Sequence, residues 1–302
     1  MIQRLLRLFS VHASAPLALI LALTLTTATL SATAQTSLEK PDLSEPTLIA
    51  PDYFGPNAFP IPDMLDGTTL SNLKVEISTD YFAGHRGDQT YDFALKAICP
   101  LFSDRVNLTL WVSAVSEWYV MSDESHAHSR LTDDIAKRGQ EFGDAYLSTD
   151  IHLMQQTDRR PDISLRVALK SALGYGYFKA RYYDTPGYFF DTSVAKSLKF
   201  DNDRLNELRF VATLGFLCWQ TDNGRQNDAT MYGLQVKLSG KRYTLSQSWG
   251  GYCGWENAGD RPMSIKTEFR YKLGSYEPLI YLQHGLHDYP YTQLKIGLAY
   301  LF

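Results

Sequence analysis

The amino-acid sequence predicts an all-β protein, a transmembrane antiparallel up-and-down β-barrel of about twelve strands. Three observations lead to this prediction. The chain begins with a segment that has the composition of an export signal. From about residue 70 onward, successive segments alternate apolar and polar side chains. Long and short connections alternate between these segments, which is typical of barrels in Gram-negative outer membranes.

Residues 1–34 are predicted to be a cleaved signal peptide. Two arginines give a positive start, an apolar stretch covers 15–30, and the Ala-Thr-Ala of 32–34 fits a small-x-small cleavage site. We expect Gln35 to be the mature N-terminus, and because the residue directly after the cleavage site is not a cysteine, no lipoprotein anchor is expected. An uncleaved membrane anchor is the alternative. The sequence therefore predicts export to the cell outer membrane.

Residues 35–69 do not alternate and are interpreted as a Pro-rich periplasmic N-terminal segment. Six prolines interrupt it, and proline disrupts both helices and sheet ladders. Aromatic residues such as Tyr53, Phe54 and Phe59 are more frequent than a flexible linker needs. We expect residues 51–66 to be ordered, packing in the lower lumen or against a periplasmic partner. A loosely ordered periplasmic tail is the alternative.

Residues 70–302 are predicted to form the barrel. In the first strand, Leu73, Val75 and Ile77 alternate with Lys74 and Glu76, so a period of two places the two sets on opposite faces. The even number of strands places both chain ends in the periplasm. The twelve predicted strands span 70–83, 89–99, 105–119, 142–155, 162–174, 187–199, 207–221, 229–239, 242–252, 262–273, 277–285 and 290–302.

The connections and the aromatic residues give two independent tests of this assignment. Long connections at 120–141 and 175–186 alternate with short ones such as 100–104 and 240–241. Aromatic residues near both strand ends predict two girdles at the membrane boundaries. The predicted outer girdle contains Tyr81, Phe82, Tyr91, Trp118, Tyr119, Tyr188, Trp219, Tyr232, Trp249 and Tyr291. The predicted periplasmic girdle contains Phe200, Phe210, Tyr243, Tyr271, Tyr276, Tyr300 and Phe302.

If the apolar face contacts lipid, the alternating charged residues line the lumen. These charges form either a self-neutralising network that fills the barrel or a narrow aqueous path that selects solutes. Eight strands leave little room beyond side chains and sixteen leave an open channel, so twelve favour a restricted pore. The candidate selectivity residues are Asp150, Arg166, Lys170, Lys266, Glu268, Arg270 and Lys295.

Two passages resemble known proteins. Residues 294–302, ending in Phe302, resemble the C-terminal assembly signal of outer-membrane barrels. This resemblance implies that the barrel-assembly machinery and outer-membrane lipids are partners. Residues 143–174 and 184–188 resemble barrels of the MetA pathway, which are associated with aromatic-degradation operons. That resemblance implies transport of small molecules.

The predicted function is therefore an outer-membrane channel or transporter whose narrow, mixed-charge lumen passes small polar or charged solutes. The alternatives are a lipid-modifying hydrolase and a non-conducting structural or interaction barrel with a plugged lumen. Aromatic outer loops, including the stretch 175–183, could bind a partner or fold inward and cap the barrel. The formal net charge of −4 argues against nucleic acid as a partner.

The sequence contains no convincing catalytic or metal-binding motif. A Gly-x-Ser-x-Gly elbow is absent, and His284, His287 and Asp288 are more typical of a polar loop than of a catalytic site. His126 and His128 alone do not complete a tetrahedral metal site. We therefore predict no catalytic residue, no metal and no cofactor.

The cysteines do not form a framework of disulfides. Cys99, Cys218 and Cys253 are three in number, and none has metal-type spacing to other ligands. Cys218 and Cys253 could pair near the outer rim, and separate thiols are the alternative.

Overall fold

The structure is a computed structural model of the chain. It describes residues 50–101, 103–129, 136–174, 180–183, 185–202, 204–220, 226–255 and 259–302. The predicted signal peptide at 1–34 and the following residues 35–49 lie outside the described residues.

Thirteen strands and two short helical elements are described. The strands are β1 Lys74–Gly84, β2 Gln89–Leu101, β3 Ser103–Val120, β4 Arg138–Glu141, β5 Ala145–Met154, β6 Asp162–Lys170, β7 Gly187–Lys199, β8 Glu207–Gln220, β9 Gln226–Ser239, β10 Tyr243–Gly254, β11 Met263–Tyr271, β12 Tyr276–His287 and β13 Tyr291–Leu301. A 3₁₀ turn covers Pro51–Tyr53, and helix α1 covers Asp123–His128. No helix in the described ranges is long and apolar enough to cross a membrane.

The sheet closes on itself into a barrel. Every neighbouring pair is antiparallel, and β1 pairs with β13 from Lys74 opposite Leu301 to Gly84 opposite Tyr291. Strands β4 and β5 both pair with β3, β4 at its outer end and β5 further along, so together they occupy one position. The barrel therefore has twelve positions, as predicted.

The predicted fourth strand, 142–155, corresponds to β5, and a short strand that was not predicted, β4, continues the same barrel position at the outer end. Between β4 and β5, the Gly143 N–H donates to the Ala114 carbonyl at 2.7 Å, and the Ser113 N–H donates to the Asp144 carbonyl at 3.0 Å. The connection therefore stays bonded to β3 while the ladder shifts, in the manner of a bulge. The other predicted strands agree with the structure to within a few residues at their ends.

Many apolar side chains lie on the outer surface of the barrel and many charged side chains lie inside it, which is the opposite of the distribution in a soluble protein. Leu214 and Leu234 on the outer surface are 65% and 61% exposed, whereas Asp80, Asp92 and Asp191 are buried inside the barrel. Lipid accepts apolar side chains, and a closed sheet pairs every strand edge, so this distribution suits a membrane. The interpretation that alternating charged residues point inward is consistent with this burial.

Aromatic residues surround both ends of the barrel on its outer surface. At the long-loop end, the rings of Tyr81 and Tyr91 lie 4.8 Å apart. At the short-turn end, Tyr300 contacts Tyr276 at 5.0 Å and Phe302 at 4.8 Å. Two girdles are therefore present, and the short-turn end is the periplasmic end in barrels of this kind.

Four residues assigned to the outer girdle point into the lumen instead. They are Phe82, Tyr119, Trp219 and Tyr291, all of which are nearly fully buried. The position of each residue along its strand correctly predicted its height in the barrel. Whether its side chain points to lipid or to the lumen is decided by the alternation along the strand. Phe82 is in phase with the lumenal Asp80, and Tyr291 is in phase with Gln293, which bonds to Asp80.

Residues 50–72 form a segment inside the barrel, here called the lumenal segment. Of the two placements expected for residues 51–66, the described residues occupy the lumen, and they extend beyond its lower part to the outer mouth. At the long-loop end, Asp52 bonds to Arg86 in the connection after β1. At the other end, the Asn72 amide donates to the Phe302 carbonyl at 2.7 Å. The described chain therefore runs from the outer mouth through the lumen to the short-turn end. A periplasmic partner for residues 51–66 stays a prediction.

Candidate functional site

The outer half of the lumen is closed by an aromatic cluster, here called the seal. Phe54 and Phe59 come from the lumenal segment. The ring of Phe59 lies 5.7 Å from that of Tyr183 and 6.4 Å from that of Trp219. The remaining wall and loop members are Phe82, Tyr146, Phe189, Tyr252, Tyr289 and Tyr291. These buried aromatic residues explain why an aromatic, Pro-rich segment is stable inside a barrel, because they give its apolar side chains a surface to pack against.

A polar network lies beside the seal. Asp80, Asp92 and Glu117 are directly opposite one another on β1, β2 and β3, which forms a row of three buried carboxylates. The Asn57 amide of the lumenal segment donates to Asp92 at 2.8 Å and to Glu117 at 3.1 Å. The lumenal segment therefore stabilises acidic groups that would otherwise be costly to bury.

The loop before β7 completes this network from the outer side. Arg181 is fully buried, and its Nε donates to Glu117 at 2.8 Å and its Nη2 to Thr90 at 2.6 Å. Its guanidinium also lies 4.5 Å from the ring centre of Tyr119. The Tyr182 hydroxyl donates to Glu117 at 2.7 Å. Of the predicted aromatic loop, 175–179 lies outside the described residues, while residues 180–183 fold inward and cap the barrel.

The outer end of the lumenal segment is fixed to the external loops. Arg86 makes two hydrogen bonds to the Asp52 carboxylate, at 2.5 and 3.0 Å, and His128 lies 2.8 Å from it. Burial by itself would raise the pKa of Asp52, but the hydrogen bonds and charges of His128 and Arg86 outweigh it and hold that pKa below its ordinary value. His128 also stacks on Tyr53 at 4.7 Å. This histidine therefore binds the lumenal segment, and no group of three or more metal-ligating side chains is found among the described residues.

Below the seal, the lumen contains a cavity of about 590 Å³, here called the vestibule. It extends from Trp219 and Tyr289 at the seal to Lys74 and Lys272 at the short-turn end. Its described lining is balanced in charge, with eight acidic and eight basic residues. The acidic residues are Asp63, Asp66, Glu76, Asp80, Asp92, Asp150, Glu268 and Glu277. The basic residues are Lys74, Lys96, Arg166, Lys237, Lys266, Arg270, Lys272 and Lys295.

Six of the seven predicted selectivity residues line this vestibule. Asp150 and Arg166 are directly opposite in register, although the Arg166 Nε donates to Asp191 at 2.7 Å instead. Arg270 bonds to Glu268 on its own strand, at 2.7 and 2.8 Å. Most of these charges are therefore neutralised within the wall.

Lys170 is the exception among the predicted residues. It forms a buried ion pair with Asp144 at 2.6 Å and does not line the vestibule. The alternation correctly gave its inward direction, but its position near the end of β6 places it beside the outer loops. Its ammonium also donates to the Thr185 carbonyl at 2.9 Å, so it anchors a loop.

Sequence reasoning missed the contribution of the lumenal segment to this site. Asp63 and Asp66 lie in the vestibule and bond to Lys266 and Lys237, two wall lysines. The available signal was the combination of acidic and aromatic residues in a segment expected to be a tail. Gly233 on β9 also makes room for the segment, because a Cβ there would lie 2.5 Å from the Met64 sulfur.

The candidate histidines of the hydrolase alternative have other partners. His284 lies 2.8 Å from the Thr292 hydroxyl, and His287 lies 3.0 Å from the Arg261 carbonyl oxygen and 3.2 Å from the Asp288 carboxylate. The described hydrogen bonds place no serine hydroxyl against the ring of either histidine. A hydroxyl, a histidine and an orienting carboxylate are not brought together there. No disulfide joins the three cysteines.

Comparison with known proteins identifies the fold. No protein-family model and no curated protein matches the chain. An outer membrane channel from Pseudomonas putida F1 is similar in structure, with a TM-score of 0.54 and 10% identity, covering 80% of this chain and 100% of that one. The transport unit of the autotransporter AIDA-I from Escherichia coli aligns with a TM-score of 0.43 and 10% identity, covering 77% of this chain and 91% of that one. The fold is that of an outer-membrane β-barrel.

Proposed function

We propose that this protein is an outer-membrane channel for small polar or charged solutes, and that the lumenal segment holds it closed. The observation that carries the proposal is the charged vestibule of about 590 Å³, which ends at a seal built partly from the chain's own N-terminal segment. A barrel filled for rigidity alone has no need of such a cavity, since protein interiors contain few voids larger than water.

The seal can open without damage to the barrel. The twelve-position ladder closes through β1 and β13 without using the lumenal segment. One backbone hydrogen bond from the segment to the cap, from the Gly55 N–H to the Ala180 carbonyl, measures 2.9 Å. Movement of the segment therefore exchanges side-chain contacts while the wall stays intact, which is the physical requirement of a gate.

A non-conducting barrel is the second candidate. The buried network of Arg181, Glu117 and Asn57 favours it, because a network of this kind also suits a permanent cap. The channel requires the outer part of the lumenal segment to move away from the seal, whereas in the non-conducting barrel it stays bound there.

A disulfide between Ala50→Cys and Gly259→Cys tests this difference. A Cβ at Gly259 would lie 3.4 Å from the Ala50 Cβ, near the separation of about 3.5–4.5 Å in disulfides. The background carries alanine at Cys99, Cys218 and Cys253. We expect the oxidised protein to be silent in planar bilayers, and reduction to raise the fraction of time spent open at least about tenfold.

A second tether gives the matched control. Gly67→Cys and Ala195→Cys join the segment to β7 near the short-turn end, where the corresponding Cβ separation is 3.7 Å. Both glycines have a φ of +78°, so cysteine carries a similar backbone cost in each tether. Oxidation of this inner tether should leave opening intact. If neither tether changes the conductance of a conducting protein, the segment is not the gate.

A further inference from the structure

Two lysines of the barrel wall have their carboxylate partners on the lumenal segment. The Lys266 ammonium donates to the Asp63 carboxylate and to the Ile61 carbonyl, both at 2.8 Å. The Lys237 ammonium bonds to the Asp66 carboxylate. Among the described residues, no wall carboxylate lies within ion-pair distance of either lysine. The segment therefore supplies the negative charge at both positions.

Other cations of the wall are neutralised differently. Arg166 pairs with Asp191 at 2.7 Å, and Lys295 pairs with Asp80 at 3.5 Å. Lys74 pairs with Glu277 at 2.5 Å. These pairs persist when the lumenal segment moves because both partners belong to the barrel. Removing the two carboxylates of the segment leaves eight basic and six acidic residues on the described vestibule lining, and hence a positive lumen.

We propose that Lys237 and Lys266 form a binding site for small dicarboxylate anions, and that Asp63 and Asp66 occupy this site as internal ligands. The inference rests on the proposed function to the extent that the segment must be displaced for an anion to pass. Beyond the proposed function, the inference names the class of solute, small dicarboxylates, and the two lysines that bind this solute.

The strand register places the two lysines near each other. Ser246 on β10 is opposite Lys237 on one side and Glu268 on the other, so Lys266 lies two strands away and one inward position further along. Strand spacing and rise put their Cα atoms on the order of 12 Å apart. Asp63 and Asp66 are three residues apart, and an extended chain spans about 10 Å over that length. One dianion can therefore be shared between two flexible lysine side chains.

The site is accessible to a competing anion. The Asp63 side chain is 59% exposed to the vestibule, although Lys266 itself is buried. An anion in the vestibule can reach the side of Lys266 that Asp63 occupies, and the buried ammonium then exchanges one negative partner for another without being left unpaired. The Arg209 Nε donates to the Asp66 carbonyl at 2.7 Å, which keeps the backbone of the segment beside Lys237. A dicarboxylate can thus replace the two side-chain carboxylates one at a time.

Calorimetric titration of succinate into the mature, detergent-folded protein tests this site without requiring conduction. Asp63→Asn with Asp66→Asn removes the internal ligands and should strengthen succinate binding at least about tenfold. Lys237→Gln with Lys266→Gln should weaken it at least about tenfold. The control Lys199→Gln, at an exposed position at the end of β7, should bind as the unmodified protein does. Succinamide, the neutral analogue, should not bind.

Heat-modifiable migration on gels verifies that each variant is folded before it is titrated. Succinate binding that is unchanged in both double variants would overturn the inference, as would equal binding of succinamide. Conductance measured in planar bilayers, set beside the titration, separates this inference from the proposed function. A conducting protein that fails the titration would retain the channel and lose the anion site. A silent protein that passes it would retain the site and lose the channel.

Discussion

Replacing Arg181 with methionine is expected to destabilise the outer half of the protein by about 3–5 kcal/mol and to open the lumen. The substitution leaves Glu117 buried without its cation, and breaking a buried ion pair by removing one partner has a cost of this size. Arg181 also packs against Gly55 of the lumenal segment, where a Cβ would lie 2.7 Å from the guanidinium carbon. The cap and the segment should therefore loosen together.

Hydrogen exchange of residues 52–59, together with the conductance, measures this effect. The second substitution Glu117→Gln should recover much of the loss in Arg181→Met, because it removes the uncompensated charge. Lys137→Met is a suitable control, since Lys137 forms a solvent-exposed pair with Asp123. Unchanged exchange in Arg181→Met would show that the network does not hold the seal.

Replacing Phe59 with alanine should have the next largest effect. Phe59 is 2% exposed and contacts Phe54, Tyr183 and Trp219. Truncating a buried phenylalanine costs about 3–5 kcal/mol, from lost transfer free energy and the cavity that remains. Because this ring joins the lumenal segment to Tyr183 of the cap and Trp219 of the wall, its loss should also give water a path through the seal.

Two measurements separate stability from sealing in this variant. Urea titration of tryptophan fluorescence, in a background that carries phenylalanine at the other four tryptophans so that Trp219 alone is observed, should show a lowered midpoint for release of the lumenal segment. Single-channel recording should show frequent openings where the unmodified protein is mostly closed. Phe200→Ala is the matched control, because Phe200 is an exposed aromatic residue near the short-turn end. If Phe200→Ala opens as often as Phe59→Ala does, the openings do not result from loss of the seal.

The barrel could be predicted from the sequence because lipid imposes a simple rule on each strand. The alternation that begins at Leu73 to Glu76, and that recurs in the later segments, identifies each strand and the side chains on each of its faces. Closure of the sheet follows because no open sheet edge is stable in a membrane. The short turn between β5 and β6 limits which inward residues can face Asp150, and the structure places Arg166 opposite it. The interruption at Gly143 gave no comparable signal, because a local bulge changes register without changing composition.

The candidate site was only partly predictable because it depends on contacts between distant parts of the chain. Alternation gives the face of a residue but not its partner, so Lys266 could be placed in the lumen while its pairing with Asp63 could not. Trp219 looked like a girdle residue because it lies near a strand end. Its inward face becomes significant only once Phe59 is known to lie against it.

The most direct test of the closed-channel account is planar-bilayer recording of the mature protein beside a variant lacking residues 51–66. The deletion removes Phe54 and Phe59 from the seal, together with the amide of Asn57 and the carboxylates of Asp63 and Asp66, and it contains no residue of the barrel strands. We predict rare openings of the intact protein and a steady, anion-preferring conductance of the deletion variant. A folded deletion variant that remains silent, or an intact protein that conducts equally well, would contradict the account.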